Sequence, residues 1–193
     1  GNNLRVLFFY IGTPSPILEI ELELIKNHEK AGHIVNVIQC TGNLPNCHWN
    51  LAHDDSKCRV CRSKFKRGWD ALKPGDNVSL KQFDPVNLQR ELPFPETFES
   101  MSHISSLKYD DENIGFGTTA TIVSLAQDHR ADQQSHSAEI NRTLRTSVEV
   151  YDRLKREILE FEPDCVYFFN GRIATHLPAK LLCKKLSLDF YCY

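Results

Sequence analysis

The sequence predicts an α/β fold, a Rossmann-like open parallel sheet with helices on both faces and a Cys-rich insertion. Three observations carry this. Leu4 to Tyr10 (LRVLFFY) is apolar at nearly every position, as in a parallel strand buried on both faces. An amphipathic helix and a second apolar strand, Ile34 to Cys40, follow directly. The same alternation of helix and strand returns after residue 147.

Taken in order, Leu4 to Tyr10 is expected at the centre of the sheet. Gly12, Thr13, Pro14, Ser15 and Pro16 break the strand, and Ile17, Leu18, Ile20, Leu22, Leu24 and Ile25 then sit among Glu and Lys on a helix closed by Ala31-Gly32. With Ile34 to Cys40 this forms a βαβ unit, a crossover that is right-handed in nearly all parallel sheets. Thr41 to Asp76 reads as an insertion with its own cysteines, and Val78 to Phe83 as a short strand. Pro85, Pro93 and Pro95 predict an extended connection through residues 84–108, with a helical turn around residues 98–104. Ile114 to Gln127 reads as a helix despite Gly115 and Gly117. Ser147 to Phe161 is a further helix, stopped by Pro163 before the strand Cys165 to Phe169. The loop Asn170-Gly171-Arg172, a helix through Leu177 to Leu186 and a strand from Leu188 to Tyr193 complete the pattern.

Residues 1–193 are expected to form one domain, with the insertion at residues 41–76; 193 residues and 22.2 kDa suffice for a single core. A strand pattern that runs to Tyr193 without the loop that carries chemistry in such sheets predicts the amino-terminal half of a longer protein. A complete domain ending in a strand is the alternative. Lys and Arg number 23 against 25 Asp and Glu, a net charge of −2, which gives no global reason to expect nucleic-acid or anionic-membrane binding. The longest apolar runs fall far short of the roughly 20 residues of a membrane span. No secretory signal pattern precedes the first strand.

Of seven cysteines, Cys165, Cys183 and Cys192 lie in apolar or amphipathic stretches and are expected in the core. Cys40, Cys47, Cys58 and Cys61 gather in one segment, the pattern of a metal site in a reducing, cytoplasmic compartment. The tight Cys58-x-x-Cys61 pair presents two thiolates from one turn, and Cys40 and Cys47 can close a tetrahedron from the preceding loop, which suits structural zinc. His48 and His53 are candidate substitutes for one ligand. An iron–sulfur cluster also accepts four thiolates, and unligated thiols, disulfides and a redox pair remain alternatives. The segment has few apolar residues and is expected to gain its order from the metal. Lys57, Arg59, Arg62, Lys64, Lys66 and Arg67, with Phe65 and Trp69, form a basic run. It reads either as a dock for an anionic headgroup, a diphosphate or single-stranded nucleic acid, or as a solvated face.

Ligands of open α/β sheets settle at the carboxyl ends of the strands. There, Gly12 allows close backbone approach, and Thr13 and Ser15 offer hydroxyls that bind a polar ligand or cap the helix. Neither Gly-x-Gly-x-x-Gly nor a P-loop is present, which disfavours dinucleotide and P-loop ATP binding. Arg172, in the loop opened by Asn170, suits phosphate or carboxylate recognition near a helix start, with a surface arginine and a turn as the plain reading. His129 stands beside Asp128 as a candidate general base, or as an ordinary loop histidine.

The Gly-Thr-Pro-Ser loop, the Cys-Thr-Gly-x-Leu-Pro-x-Cys segment leading to Cys58-Arg-Val-Cys61, and Phe169-Asn-Gly-Arg172 together resemble bacterial surface-polysaccharide (capsule, O-antigen or lipopolysaccharide) biosynthesis proteins of the GT-B glycosyltransferase type. The resemblance implies an acceptor-side domain that works with a carboxyl-terminal donor-binding domain and its nucleotide sugar, at the inner face of the membrane. It implies that Gly12, Thr13, Asn170 and Arg172 line a cleft for a saccharide or lipid-linked acceptor, with His129 for acid/base work. It also implies that the 193-residue piece is inactive alone. Two other readings stand beside it: a non-catalytic zinc-containing module that docks polyanions or a protein partner, and a flavodoxin-like cofactor protein.

Overall fold

The computed structural model describes residues 3–12, 15–127 and 131–193. Its strands are β1 (Arg5–Tyr10), β2 (Ile34–Cys40), β3 (Val78–Phe83), β4 (Cys165–Phe168) and β5 (Asp189–Cys192). Its helices are α1 (Ile17–Lys30), α2 (Asp55–Leu72), α3 (Met101–Ser105), α4 (Gly115–Ala126), α5 (Ser137–Phe161) and α6 (Leu177–Lys185). The strands form one sheet in the order β3-β2-β1-β4-β5, every pair parallel, with Phe8 opposite Val37 on one side and Tyr167 on the other. The expected α/β class, open parallel sheet and central β1 are therefore present.

Alternation along β1 shows why the strand reads as apolar throughout. Val6, Phe8 and Tyr10 join Leu18 and Ile25 of α1 and Phe65 of α2 in one core layer. Leu7 and Phe9 turn the other way, onto Val148, Tyr151 and Leu154 of α5 and Leu182 of α6. Side chains alternate across a strand, so a strand covered by helices on both faces must be apolar at odd and even positions alike.

The Cys-rich segment supplies the crossover from β2 to β3. Its order comes from packing as well as from its loop, which corrects the expectation that it lacks apolar anchorage. Phe65 is buried, lies 4.8 Å from the Tyr10 ring, and stacks on Trp69 at 5.7 Å. Burying a phenylalanine side chain stabilises by about 1.5–3 kcal/mol. The two aromatics of the basic run thus face the sheet, while Arg59, Lys66 and Arg67 are left exposed on α2.

α5 starts ten residues earlier than the apolar pattern suggests, at Ser137. Its first turns bury Thr143 and Thr146 beside Ile140 and Leu144, so polar side chains occupy part of its inward stripe. Cys165 and Cys183 are buried as expected, whereas Cys192 is exposed because β5 is an edge strand. Among the described residues, no helix is long and apolar enough to cross a membrane.

Candidate functional site

A parallel sheet brings all strand ends to one edge, and here the strand order reverses between β1 and β4. That reversal is the usual ligand crevice. In this chain residues 41–54 fold back over it. Asn46 donates from its side-chain amide to the Thr143 hydroxyl at 2.9 Å, and the Thr146 hydroxyl donates to Asn46 Oδ1 at 2.8 Å, tying the loop to α5. His48 Nδ1 lies 3.0 Å from the Thr175 hydroxyl, which is also 3.0 Å from His176 Nδ1. The His48 ring packs against Trp49, Phe169 and His176. His48 therefore fills the space between the ends of β1 and β4. Burial pushes its imidazole down to about 3, and burial, with His48 adding to it, drives His176 down as well. Burial thus holds both rings neutral, and His48 lies outside the cleft that the four cysteines line.

Open space lies instead on the β1/β2 side, in a cleft of about 190 Å³. Its walls include Tyr10, Gly12, Trp49 and all four cysteines of the segment, with Lys57, Arg62 and Lys64 around them. Three devices place the four thiols. Cys40 is the last residue of β2, and its sulfur accepts the Gly42 N–H at 3.4 Å. Cys47 opens a tight turn in which the Asn50 N–H donates to the Cys47 carbonyl at 2.9 Å. Cys58 and Cys61 occupy the first turns of α2, three residues apart and so on one face. Asp54 caps that helix, its carboxylate accepting from the Ser56 N–H at 2.8 Å.

Asn50 holds the cap in place. Its Oδ1 accepts the Asp54 N–H at 2.7 Å, and its amide donates to the Asp54 carbonyl at 2.8 Å and to the Cys58 sulfur at 3.3 Å. Two glycines lie beside the sulfurs, and Gly42 is the one a side chain would crowd. A Cβ on Gly12 would meet the Cys61 sulfur at 3.7 Å and the Cys47 sulfur at 3.9 Å. Gly42 has φ +91°, and a Cβ there would come within 3.1 Å of Cys58 Cβ and 2.6 Å of the Arg62 guanidinium, which donates to the Thr41 carbonyl at 2.6 Å.

All seven cysteines are free. Burial pushes the Cys40 thiol up to about 12 and the Cys47 thiol up to about 11. It raises Cys61 too, against an opposing hydrogen bond from Tyr10. These are neutral thiols at neutral pH, unsuited to act as free thiolate nucleophiles; a bound cation would displace their protons. Among the described residues, no three His, Cys, Asp or Glu side chains are gathered around one point as a single metal ion requires. The closed zinc tetrahedron expected from the spacing is thus not formed, and the zinc-containing module built on it is set aside. The thiols stand around the wall of a cleft rather than about a centre.

The cleft brings together Gly12 and the four cysteines. It does not include Asn170 or Arg172. Asn170 has φ +63°, its Oδ1 accepts the Arg172 N–H at 3.0 Å, and its own N–H donates to the Tyr193 carbonyl at 2.9 Å, while the Arg172 side chain is exposed. His53 lies 3.9 Å from Asp55 and lines a smaller recess with Cys40, Cys47 and Cys58. Thr13 and His129 fall outside the described residues. Sequence reasoning missed Asn46, Trp49 and Asn50; the only signal for Asn50 was its place one turn ahead of a helix-capping Asp.

No family model matches this sequence, and no curated protein matches it. Solved structures do resemble it at low identity. One is a deacetylase complex of the teicoplanin biosynthesis pathway, 16% identical, with a TM-score of 0.48 over 96% of this chain and 65% of that one. The zinc-inhibited form of teicoplanin deacetylase gives 16% identity and 0.47 over the same shares. A tyrosyl-tRNA synthetase from Leishmania major gives 9% identity and 0.45 over all of this chain and 26% of that one. The chain thus spans about two thirds of the deacetylase chains and a quarter of the synthetase. At this identity they assign this chain no activity. They do correct the resemblance drawn from the sequence: the similar structures are deacetylases and a synthetase, not GT-B glycosyltransferases. The acceptor-domain reading and its polysaccharide pathway are set aside, and nothing supports the nucleotide sugar or the donor domain that came with it. Its supporting motifs have local causes, since Asn170 and Gly171 both take positive φ in a turn and the cysteines wall a cleft of their own.

Proposed function

We propose that this chain is a cofactor-bearing α/β domain. Its functional centre is the cleft at the carboxyl ends of β1 and β2, and its four thiols hold a metal cofactor there. One observation carries the reading: Cys40, Cys47, Cys58 and Cys61, from a strand end, a turn and a helix start, all line one cleft at the edge where parallel sheets bind ligands. Lys57, Arg62 and Lys64 offset the negative charge that four thiolates would bring. Half-exposed Trp49 and Val60 leave an apolar mouth through which a substrate could reach the cofactor. Free thiols of this kind fit a reducing, cytoplasmic compartment.

The experiment is metal analysis of protein purified without chelators. We expect bound metal in proportion to protein, released by the double substitution Cys58→Ser and Cys61→Ser while far-ultraviolet circular dichroism stays native. Metal-free protein from both aerobic and anaerobic preparations, which also takes up none when supplied, would overturn the reading.

A further inference from the structure

Resting on the reading of this cleft as the functional centre, but not on a metal, we propose that it binds a small molecule made of a flat apolar ring and one oxyanion group, a carboxylate or a phosphate. The charge of its walls carries the proposal. Among the described residues that line the cleft, Lys57, Arg62 and Lys64 are cationic and none is Asp or Glu, in a chain whose net charge is −2. Lys57 and Lys64 lie two turns apart on one face of α2, and both are exposed. Arg62 is held at the cleft by its 2.6 Å bond to the Thr41 carbonyl, which leaves the rest of the guanidinium fork to meet an oxyanion. Glu19 and Asp54 feel these lysines from outside the cleft, yet each is engaged elsewhere. Glu19 accepts from the Ser15 hydroxyl at 2.7 Å, and Asp54 accepts the Ser56 N–H at 2.8 Å.

An oxyanion alone leaves the apolar side chains without a use. Trp49 is 46% exposed and Val60 55% exposed, and Val60 stands on α2 between the two lysines. Apolar side chains scattered singly on a surface are ordinary, whereas these two share one cleft with the cations. The Trp49 ring rests on His48, 4.6 Å between centroids, and His48 is fixed by Thr175, so the indole is a platform already in place for a second ring. A side chain on Gly12 would stand 3.6 Å from the Trp49 ring and 3.7 Å from the Cys61 sulfur; glycine leaves that space to the ligand. Burial holds Cys40 and Cys47 neutral, so these walls do not repel an anion.

The test is calorimetric titration of the full chain, as purified and after chelator treatment, with naphthoate, naphthyl phosphate, naphthol and inorganic phosphate. We expect naphthoate or naphthyl phosphate to bind about tenfold tighter than naphthol or phosphate, the factor a charge-assisted hydrogen bond supplies. The tighter of the two identifies the oxyanion. The double substitution Lys57→Ala and Lys64→Ala is expected to weaken binding about tenfold, and Trp49→Ala to remove the advantage over inorganic phosphate. Lys66→Ala, on the same helix but outside the cleft and paired with Asp70 at 2.6 Å, leaves binding unchanged. Added salt weakens binding to the unaltered chain, which keeps the test valid if a variant misfolds. Naphthol binding as tightly as the anions, no loss in the lysine double variant, or no binding of either naphthyl anion would overturn the proposal. Binding that disappears with the chelator would place the anion on a metal and overturn the role of the lysines. Failure of these ligands in a chain that carries metal leaves the four-thiol reading standing, and binding in a metal-free chain leaves the ligand standing without it.

Discussion

Asn50→Ala is the substitution that most directly probes how the site is held. Asn50 is 4% exposed and makes two hydrogen bonds to the backbone of Asp54, at 2.7 and 2.8 Å, and one to the Cys58 sulfur at 3.3 Å. A neutral hydrogen bond contributes about 1 kcal/mol net, and a backbone group left without its partner costs about as much again. The two Asp54 bonds therefore predict a loss of about 2–4 kcal/mol, which lowers the melting temperature by roughly 5–15 °C in a chain of this length. Urea denaturation measures the loss, and hydrogen exchange locates it: faster exchange is expected through residues 41–61, with α5 and β1 unchanged. Asn141→Ala, which removes an exposed bond to the Ser137 carbonyl at 3.0 Å, serves as the control and is expected within about 0.5 kcal/mol of the parent. An Asn50→Ala midpoint equal to that of the control would refute the clamp.

Further outcomes follow from other buried contacts. Phe65→Ala is expected to cost about 3–5 kcal/mol, because this side chain anchors α2 to the sheet; a change below about 1 kcal/mol would show that packing does not order the Cys-rich segment. Gly115→Ala would set a Cβ 1.9 Å from the Ile104 carbonyl oxygen, so a loss of about 3 kcal/mol or more is expected in thermal melts, and an unchanged melt would contradict the α3/α4 packing. Glu157→Ala is expected to cost about 3–5 kcal/mol, since it strands Arg153, bonded at 2.9 Å, and also unpairs Lys81 and Asn36. For Glu157, burial favours the neutral acid but Lys81 and Arg153 outweigh it, and hydrogen bonds from Lys155, Tyr151 and Lys185 hold Asp110 low. Both carboxyls thus sit lower folded than unfolded. Their contribution is full above the ordinary carboxylate range and is lost as pH falls through it toward the depressed folded values. Urea midpoints should fall between pH 5 and about 3, and a flat profile would contradict this.

The sheet was legible because its strands are buried on both faces, which leaves continuous apolar runs such as Leu4 to Tyr10 that no turn residue interrupts. α2 was harder. Its inward stripe is little more than Phe65 and Trp69, so charge dominates the sequence and the helix reads as an exposed insertion. α5 was foreshortened for a related reason: Thr143 and Thr146 face inward because Asn46, nearly a hundred residues earlier, supplies their partner. Spacing alone identified the four cysteines as a group but could not say whether they close on a point or surround a space. Long-range pairing sets that, through Asn46 to α5 and His48 to Thr175, and neither partner is visible in local pattern. The same loop explains why the crevice between β1 and β4, where ligands were expected, is filled by His48.

X-ray absorption at the edge of the metal carried by anaerobically prepared protein tests the central claim most directly. The four-thiol site predicts a first coordination shell of sulfur alone. A first shell of nitrogen or oxygen, or a spectrum unchanged by removing Cys58 and Cys61, would contradict it.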